Sequence, residues 1–259
     1  MRLMKRILSA AAVLALSASL LVGCSSGTAS SVPVSASSAA ESTVSSVEET
    51  ASSAVDENEA AAAQLLNDLT GSYQELWPVI LADEYKQTWL DDCTALVGED
   101  NAEAAFEKLP SMVTGDVYGE DAVKAYANGG GAYFCGFTNS LATLTFDGET
   151  STISGTDKDG NVLFSHAYHY IGMEPVRGLY EFESDDADSG EFTYFFLAPD
   201  TSAETYHIEF RYGSDAEALS QYDAGEYAYW LASGISTDCD QTMIDNCIEP
   251  VSYTPLRAH

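Results

Sequence analysis

The chain has 259 residues, enough for one large domain or two small ones. An apolar fraction of 46% and an aromatic fraction of 11% can support a packed core, which excludes a protein that is disordered throughout. Only 10 Lys and Arg residues stand against 41 Asp and Glu residues, a formal charge of -31. This charge argues against nucleic-acid binding and against electrostatic docking on anionic lipid, whereas it favours cationic ligands.

The first residues have the layout of a secretory signal. Three of the first six residues are basic, and residues 7–22 form an apolar run too short for a permanent membrane span. The junction that follows, Leu-Leu-Val-Gly-Cys, resembles the lipobox of bacterial lipoproteins. The resemblance implies removal of a signal peptide, residues 1–23, and lipidation of Cys24. The alternative is an ordinary signal peptide with an incidental cysteine. We expect an extracytoplasmic protein that contacts the cell membrane only through its lipid anchor.

Residues 24–56 differ in composition from the segments on either side. Positions 25–54 contain 12 Ser residues and no aromatic residue. Such a stretch cannot bury enough apolar surface to offset the entropy lost on ordering, so we expect a flexible, disordered tether. The folded domain is then expected to span residues 57–259.

Helical patterns fill the first part of this domain. An Ala- and Leu-rich run ends near Gly71, and apolar residues continue after it at helical spacing. The segments expected to be helical are 59–69, 76–89, 101–109 and 120–126. Three consecutive glycines, 129–131, end this region.

From residue 132 the period of the pattern changes to two, which is typical of strands. Asp147-Gly148 and residues 158–161 are hairpin turn signals. The segments expected to form strands are 141–146, 151–154, 162–170, 179–183, 192–197 and 206–212. Helices followed by hairpin-linked strands indicate an α+β fold, with the antiparallel strands in a closed barrel or a sandwich.

Two short helices are expected near the end of the chain. Ser214 and Glu217 have the spacing of a capping box, so a helix is expected to open there. Ser236 or Thr237 can cap a last helix that runs to about Cys247.

Four cysteines remain after the signal peptide, and three disulfide connectivities are open to them. If residues 238–247 form one helix, Cys239 lies roughly 12 Å from Cys247, beyond the reach of a disulfide. We therefore predict no bond between these two residues. Pairing of either with Cys93 or Cys135 stays open.

No motif supports an enzyme. Residues 157–161 resemble the start of a calcium loop, but the twelfth position is Tyr168 rather than Glu, which favours a plain turn. His166 and His169 are three residues apart on an expected strand, so they point to opposite faces and are not expected to share a metal. The chain has no G-x-S-x-G, C-x-x-C or H-E-x-x-H motif. We expect a protein that is not an enzyme.

His207 is the main candidate for a metal ligand. On the strand expected over 206–212 it shares one face with Thr205, Glu209 and Arg211. An imidazole and a carboxylate on one face can both reach a zinc ion. The competing interpretation is an ordinary polar network, because zinc sites normally use three protein ligands.

Five segments carry a resemblance to a known family. They are residues 69–78 (LTGSYQELWP), 178–183 (GLYEFE), 195–199 (FFLAP), 205–208 (TYHI) and 212–219, which begins YGSD and ends AL. In this order they resemble the ZinT/YodA family of extracytoplasmic zinc- and cadmium-binding proteins, over residues 65 to about 248. The resemblance implies a calycin-like (lipocalin-like) barrel with residues 69–78 as its opening helix.

The metal ligands of the family transfer only in part. The family places a His three residues before its Ala-Pro step, where this chain has Phe195. It places the first His of an H-x-H pair where this chain has Thr205, and only His207 matches the second. A further ligand comes from the end of the C-terminal helix, where Cys247 is nearest by spacing. His259 matches that position if the tail folds back.

Two hypotheses follow from the resemblance. In the first, a lipoprotein captures or delivers a divalent metal, zinc, together with a metal-uptake transporter component. Its site would be rebuilt around His207 from Glu209, Cys247 or His259. In the second, Phe195 makes the barrel mouth apolar, and the barrel binds a small organic ligand or a protein partner without metal.

Overall fold

The structure is a computed structural model that describes the backbone of residues 57–256 and the side chains as far as residue 249. The predicted signal peptide, the tether with Cys24, and His259 lie outside the described residues. What the sequence indicates for them stays a prediction.

The described residues form eight antiparallel strands that close into a barrel. Each strand pairs with its neighbours in the sequence, and the first also pairs with the last. The strands are β1 (Gly71–Glu75), β2 (Thr143–Asp147), β3 (Thr152–Thr156), β4 (Val162–Met173), β5 (Tyr180–Ser184), β6 (Tyr194–Leu197), β7 (Ile208–Gly213) and β8 (Ala232–Ser236). The predicted calycin-like antiparallel barrel is confirmed, and closure gives every one of these strands two partners.

Two of these strands, β1 and β8, are not predicted by the sequence pattern. Residues 69–78 are expected to be the opening helix of the family, but Gly71–Glu75 forms β1, so this expectation is wrong for those residues. β1 is stabilised from both sides, because Tyr73 lies opposite Leu144 of β2 and Ser236 of β8. Five residues without a clear apolar alternation carry little local signal, and their pairing decides the structure.

Aromatic side chains fill the barrel. Phe195 has no exposed surface, and its ring centroid lies 5.4 Å from that of Tyr168 and 5.3 Å from that of Tyr212. Phe210 is equally buried and contacts Phe137 at 5.3 Å. The apolar mouth that the second hypothesis places at Phe195 is therefore a packed core, which corrects that part of the hypothesis.

The helices lie mainly before β2 and after β8. They are α1 (57–68), α2 (Leu76–Ile80), α3 (Lys86–Val97), α4 (Glu99–Lys108), α5 (Pro110–Val113), α6 (Glu120–Ala127), α7 (Ser202–Thr205), α8 (Ala216–Leu219) and α9 (Gln241–Leu256), with 3-10 turns at Asp83–Tyr85 and Gly190–Phe192. The helices predicted over 59–69, 101–109 and 120–126 correspond to α1, α4 and α6. None of these described helices is both long enough and apolar enough to span a membrane.

A second apolar core lies between the helices and the barrel. Trp89 and Cys93 of α3 contact Cys247 and neighbouring residues of α9, and Ile235 of β8 joins them. All four side chains are fully buried, and the indole of Trp89 donates a hydrogen bond of 2.7 Å to the carbonyl of Ile80. Helices α3 and α9 therefore cover part of the outer surface of the barrel.

The last two helices begin later than predicted. The carboxylate of Asp215, rather than Ser214, caps α8 by accepting a 3.0 Å hydrogen bond from the backbone N–H of Ala218. Asp240 caps α9 in the same way, with the N–H of Met243 at 2.9 Å. A carboxylate at these positions also interacts favourably with the positive, N-terminal end of the helix dipole.

Because α9 begins at Gln241, Cys239 precedes the helix. The expectation that helical spacing separates Cys239 from Cys247 is therefore wrong. Cys239 lies, partly buried, against the same apolar core that contains Cys247. All four cysteines among the described residues are free thiols.

Buried tyrosines predict a loss of stability at alkaline pH. Burial raises the pKa of Tyr222 from 10.0 to about 12, so the unfolded chain releases this proton at lower pH than the native protein. The contribution of this raised pKa to the free energy of unfolding is on the order of 2 kcal/mol. It is present in full below pH 10 and is lost as the pH rises towards 12. Chemical denaturation from pH 8 to 11 is expected to give a falling free energy of unfolding. Tyr222→Phe is expected to flatten the decline, and an unchanged slope would contradict the assignment.

Candidate functional site

His207 lies at the junction between a helical turn and β7. Helix α7 ends at Thr205, Tyr206 adopts a left-handed conformation with φ of 66°, and β7 starts at Ile208. The expectation that Thr205 shares the strand face with His207 is therefore wrong. The left-handed residue turns the chain sharply, and it places His207 at the entrance of the strand rather than within it.

A backbone carbonyl orients the His207 ring. Nδ1 lies 2.8 Å from the carbonyl oxygen of Thr205. A carbonyl oxygen can only accept, so Nδ1 carries the proton and Nε2 of the neutral ring presents its lone pair. Metal-ligating histidines commonly have their second nitrogen held in this way. The imidazole is therefore oriented for ligation through Nε2.

Glu209 is the side chain that Nε2 faces. Its Oε1 lies 4.0 Å from Nε2 of His207, with 46% of the Glu209 side chain and 19% of the His207 side chain exposed. Two donor atoms of a tetrahedral zinc ion, each at roughly 2 Å, lie roughly 3.4 Å apart. The observed separation exceeds that distance by roughly 0.6 Å. The pair supplies two donors on a surface that solvent and an ion can reach.

Cys247 lies at the other edge of the imidazole. Its Sγ is 4.0 Å from Nδ1 of His207, the nitrogen that donates to Thr205. Burial raises the pKa of the Cys247 thiol to about 12, and Cys239 adds to this effect. Cys247 and Glu209 therefore lie near different nitrogens of the ring.

The remaining metal-ligand candidates do not join this pair. His166 and His169 lie on β4 and bind Asp186 at 2.6 Å and Asp185 at 2.7 Å, respectively. Within the part of the chain that the structure describes, no three His, Cys, Asp or Glu side chains form a group able to hold a metal ion. His259, outside that part, is not placed. The described site is thus a two-donor arrangement of His207 and Glu209.

Glu209 also lines a cavity that the sequence analysis does not predict. The cavity has a volume of about 430 Å³ and lies between the end of α4, the segment before β2, the β4–β5 loop and β7. Its lining includes Lys108, Cys135, Arg177 and Tyr133. Burial raises the pKa of the Cys135 thiol to about 12, and the charge of Glu209 contributes. These residues are far apart in the sequence, so no local motif indicates their convergence.

Comparison with known proteins gives a structural likeness only. No protein-family model matches the chain, and no curated protein matches it in sequence. The chain is similar to the Zn(II)-bound ZinT-like domain of AdcA from Streptococcus pneumoniae, with 15% identity, a TM-score of 0.45, and coverage of 71% of this chain and 89% of that domain. It is also similar to Zn(II)-bound AdcA from the same organism, with 14% identity, a TM-score of 0.42, and coverage of 73% of this chain and 35% of that one. The chain thus spans about a third of the second of these proteins, and at such identities the likeness concerns the fold alone.

The environments of the cysteines predict their order of alkylation. Cys93 and Cys247 have no exposed surface, whereas Cys239 is partly exposed. Because the thiolate is the reactive form and burial raises the pKa of Cys247, iodoacetamide at neutral pH is expected to modify Cys239 first. Peptide mass spectrometry over time measures the order, and a denatured sample gives the reference rates. Equal native rates at Cys239 and Cys247 would contradict the packing of α9.

Proposed function

We propose that the protein is an extracytoplasmic lipoprotein that binds a divalent metal, zinc, and captures or delivers it. The observation that carries this proposal is the orientation of His207, whose Nδ1 is bound to a carbonyl while Nε2 faces the Glu209 carboxylate at 4.0 Å. Imidazole nitrogen and carboxylate oxygen are both ligands that zinc accepts. The proposed role of the site is binding, which needs neither a nucleophile nor a general base.

The composition of the site defines the kind of binding expected. Water and His259 are the candidates for the remaining coordination positions, with Cys247 as an alternative if the imidazole rotates. Phe195 and Thr205 stand where the family carries imidazoles, and Phe195 is fully buried. A site with fewer protein ligands binds zinc more weakly and exchanges it faster, which suits transient capture and transfer.

The whole-chain charge supports a cationic cargo. With 41 acidic residues against 10 basic ones, the surface raises the local concentration of divalent cations and disfavours nucleic acid. A component of a metal-uptake transporter is the partner that this role requires. The lipid on Cys24 would keep the protein at the membrane where such a partner resides.

Calorimetric titration with zinc tests the metal site. After dialysis into metal-free buffer, the full chain is expected to bind about one zinc ion. His207→Ala and Glu209→Gln are each expected to weaken binding by at least roughly tenfold, because each removes one of two donors. Binding is also expected to raise the melting temperature of the unchanged protein, because zinc stabilises the state that binds it.

His169→Ala is the matched control for this titration. It removes an imidazole that is exposed and bound to Asp185, away from the proposed site. Zinc affinity is expected to be unchanged in this variant. Absence of heat and of thermal stabilisation with excess zinc would refute the metal site. A loss in His169→Ala as large as that in His207→Ala would instead indicate non-specific binding by surface histidines.

Lipidation at Cys24 has its own test. The full chain expressed in a bacterium that processes lipoproteins is expected to incorporate labelled fatty acid and to sediment with membranes. Cys24→Ser is expected to lose the label and to appear in the soluble fraction, because a diacyl anchor provides the membrane affinity. An unlabelled wild-type chain would favour the ordinary signal peptide.

A further inference from the structure

We propose a second binding site, for a small organic anion with an apolar body, in the cavity that Lys108 and Arg177 line. The cavity of about 430 Å³ lies within the range of small-molecule sites in proteins. It lies outside the barrel, whose interior is filled by aromatic side chains. The site goes beyond metal binding and does not require a metal.

The distribution of positive charge is the first argument. Six Lys or Arg residues lie in the described part of the chain. Lys86 and Lys124 bind carboxylates, Lys158 lies in the β3–β4 turn, and Arg211 is fully buried. The remaining two line one cavity, and neither has an ion-pair partner among the described residues. In so acidic a protein, two unpaired cations in one cavity indicate a site for a negative group.

The position of Arg177 is fixed by a buried carboxylate. Glu174 is 1% exposed and accepts hydrogen bonds from the backbone N–H groups of Val176, at 2.6 Å, and Arg177, at 2.7 Å. The same carboxylate accepts a bond of 3.3 Å from the hydroxyl of Tyr222. These hydrogen bonds fix the backbone of the loop between β4 and β5, and with it the point from which the Arg177 side chain extends.

The guanidinium of Arg177 is also fixed by aromatic rings. It lies 4.4 Å from the ring centroid of Tyr222 and donates a 3.2 Å hydrogen bond to the Tyr133 hydroxyl. Arg211 lies 4.3 Å from the centroid of the same Tyr222 ring and is bound to backbone carbonyls of Leu219 and Tyr227. Two guanidinium groups thus lie near one tyrosine ring, whose hydroxyl donates to the carboxylate of Glu174. The guanidinium of Arg177 has no ion-pair partner among the described residues, and a guanidinium held in place pairs well with a carboxylate.

The rest of the cavity suits an apolar body. Tyr126 is stacked on Tyr229 with 3.8 Å between centroids, and it forms a wall together with Met112, Val113 and Leu231. Glu209 is the carboxylate on the lining, so two cations face one anion there. An amphipathic ligand with one carboxylate satisfies both parts of this lining. A cation with an apolar body, or a purely polar anion, satisfies only one of these two parts.

Three probes of one shape test the charge preference. The probes are 2-naphthoate, the neutral 2-naphthamide and the cationic 2-naphthylmethylammonium, titrated calorimetrically into the full chain in metal-free buffer. We expect about one equivalent of naphthoate to bind, and the amide and the ammonium to bind at least roughly tenfold more weakly. Equal binding of naphthoate and naphthamide, or no naphthoate binding at millimolar concentration, would overturn the proposal.

Charge-matched variants locate the site. Lys108→Gln and Arg177→Gln are each expected to weaken naphthoate binding by roughly three- to tenfold, whereas Lys158→Gln, which removes the same charge elsewhere, is expected to have no effect. Lys108 is exposed, so its variant keeps the test valid if Arg177→Gln unfolds the loop. A loss in Lys158→Gln equal to that in Lys108→Gln would refute a local site.

His207→Ala separates this site from the proposed metal centre. The variant is expected to weaken zinc binding by at least roughly tenfold. It is expected to keep naphthoate binding within twofold, because His207 does not line the cavity. Failure of the zinc titration thus leaves the anion site measurable, and failure of the naphthoate titration leaves the metal centre measurable. Loss of naphthoate binding in His207→Ala would contradict a separate site.

Discussion

Closure of the barrel by β1 is the constraint on which the other features depend. This strand pairs with β2 on one side and β8 on the other, and Tyr73 takes part in both pairings. Closure fixes the register of every strand, and a slip of one residue would exchange the inner and outer faces. In β7 the register puts Phe210 and Tyr212 in the core and leaves Glu209 on the opposite side. The position of the candidate site is thus a consequence of the pairing between the two terminal strands.

Dense aromatic packing leaves the candidate sites on the outside of the barrel. Phe195, at a position where the resembling family carries a ligand, is fully buried among Tyr168 and Tyr212. The phenyl ring of Phe195 therefore puts an apolar group in the interior where the family has a polar ligand. The residues of the two candidate sites lie instead where the outer strand face meets the helices and loops. There His207 faces Glu209, and Glu209 in turn lines the cavity.

The local sequence pattern predicts most of the fold and only part of the site. Six strands and the approach of His207 to Glu209 follow from alternation and short spacing. The strands β1 and β8 do not, because their stability comes from partners far away in the chain. The left-handed Tyr206 breaks the expected strand without Gly or Asn at that position. The cavity joins Lys108 to Arg177, and contacts between such distant residues have no local signature.

The overall charge and the local charge act at different distances. One acidic protein can therefore combine a site that prefers a cation with a site that prefers an anion. The formal charge of -31 attracts cations towards the whole surface, but salt screens it beyond roughly 8 Å at physiological ionic strength. Within that distance, the nearest side chains decide which ion binds. At His207 the nearest charge is the carboxylate of Glu209, which favours a metal ion. Across the cavity, Lys108 and Arg177 outnumber that carboxylate and favour an anion. Glu209 therefore lies at the boundary between the proposed metal centre and the proposed anion site.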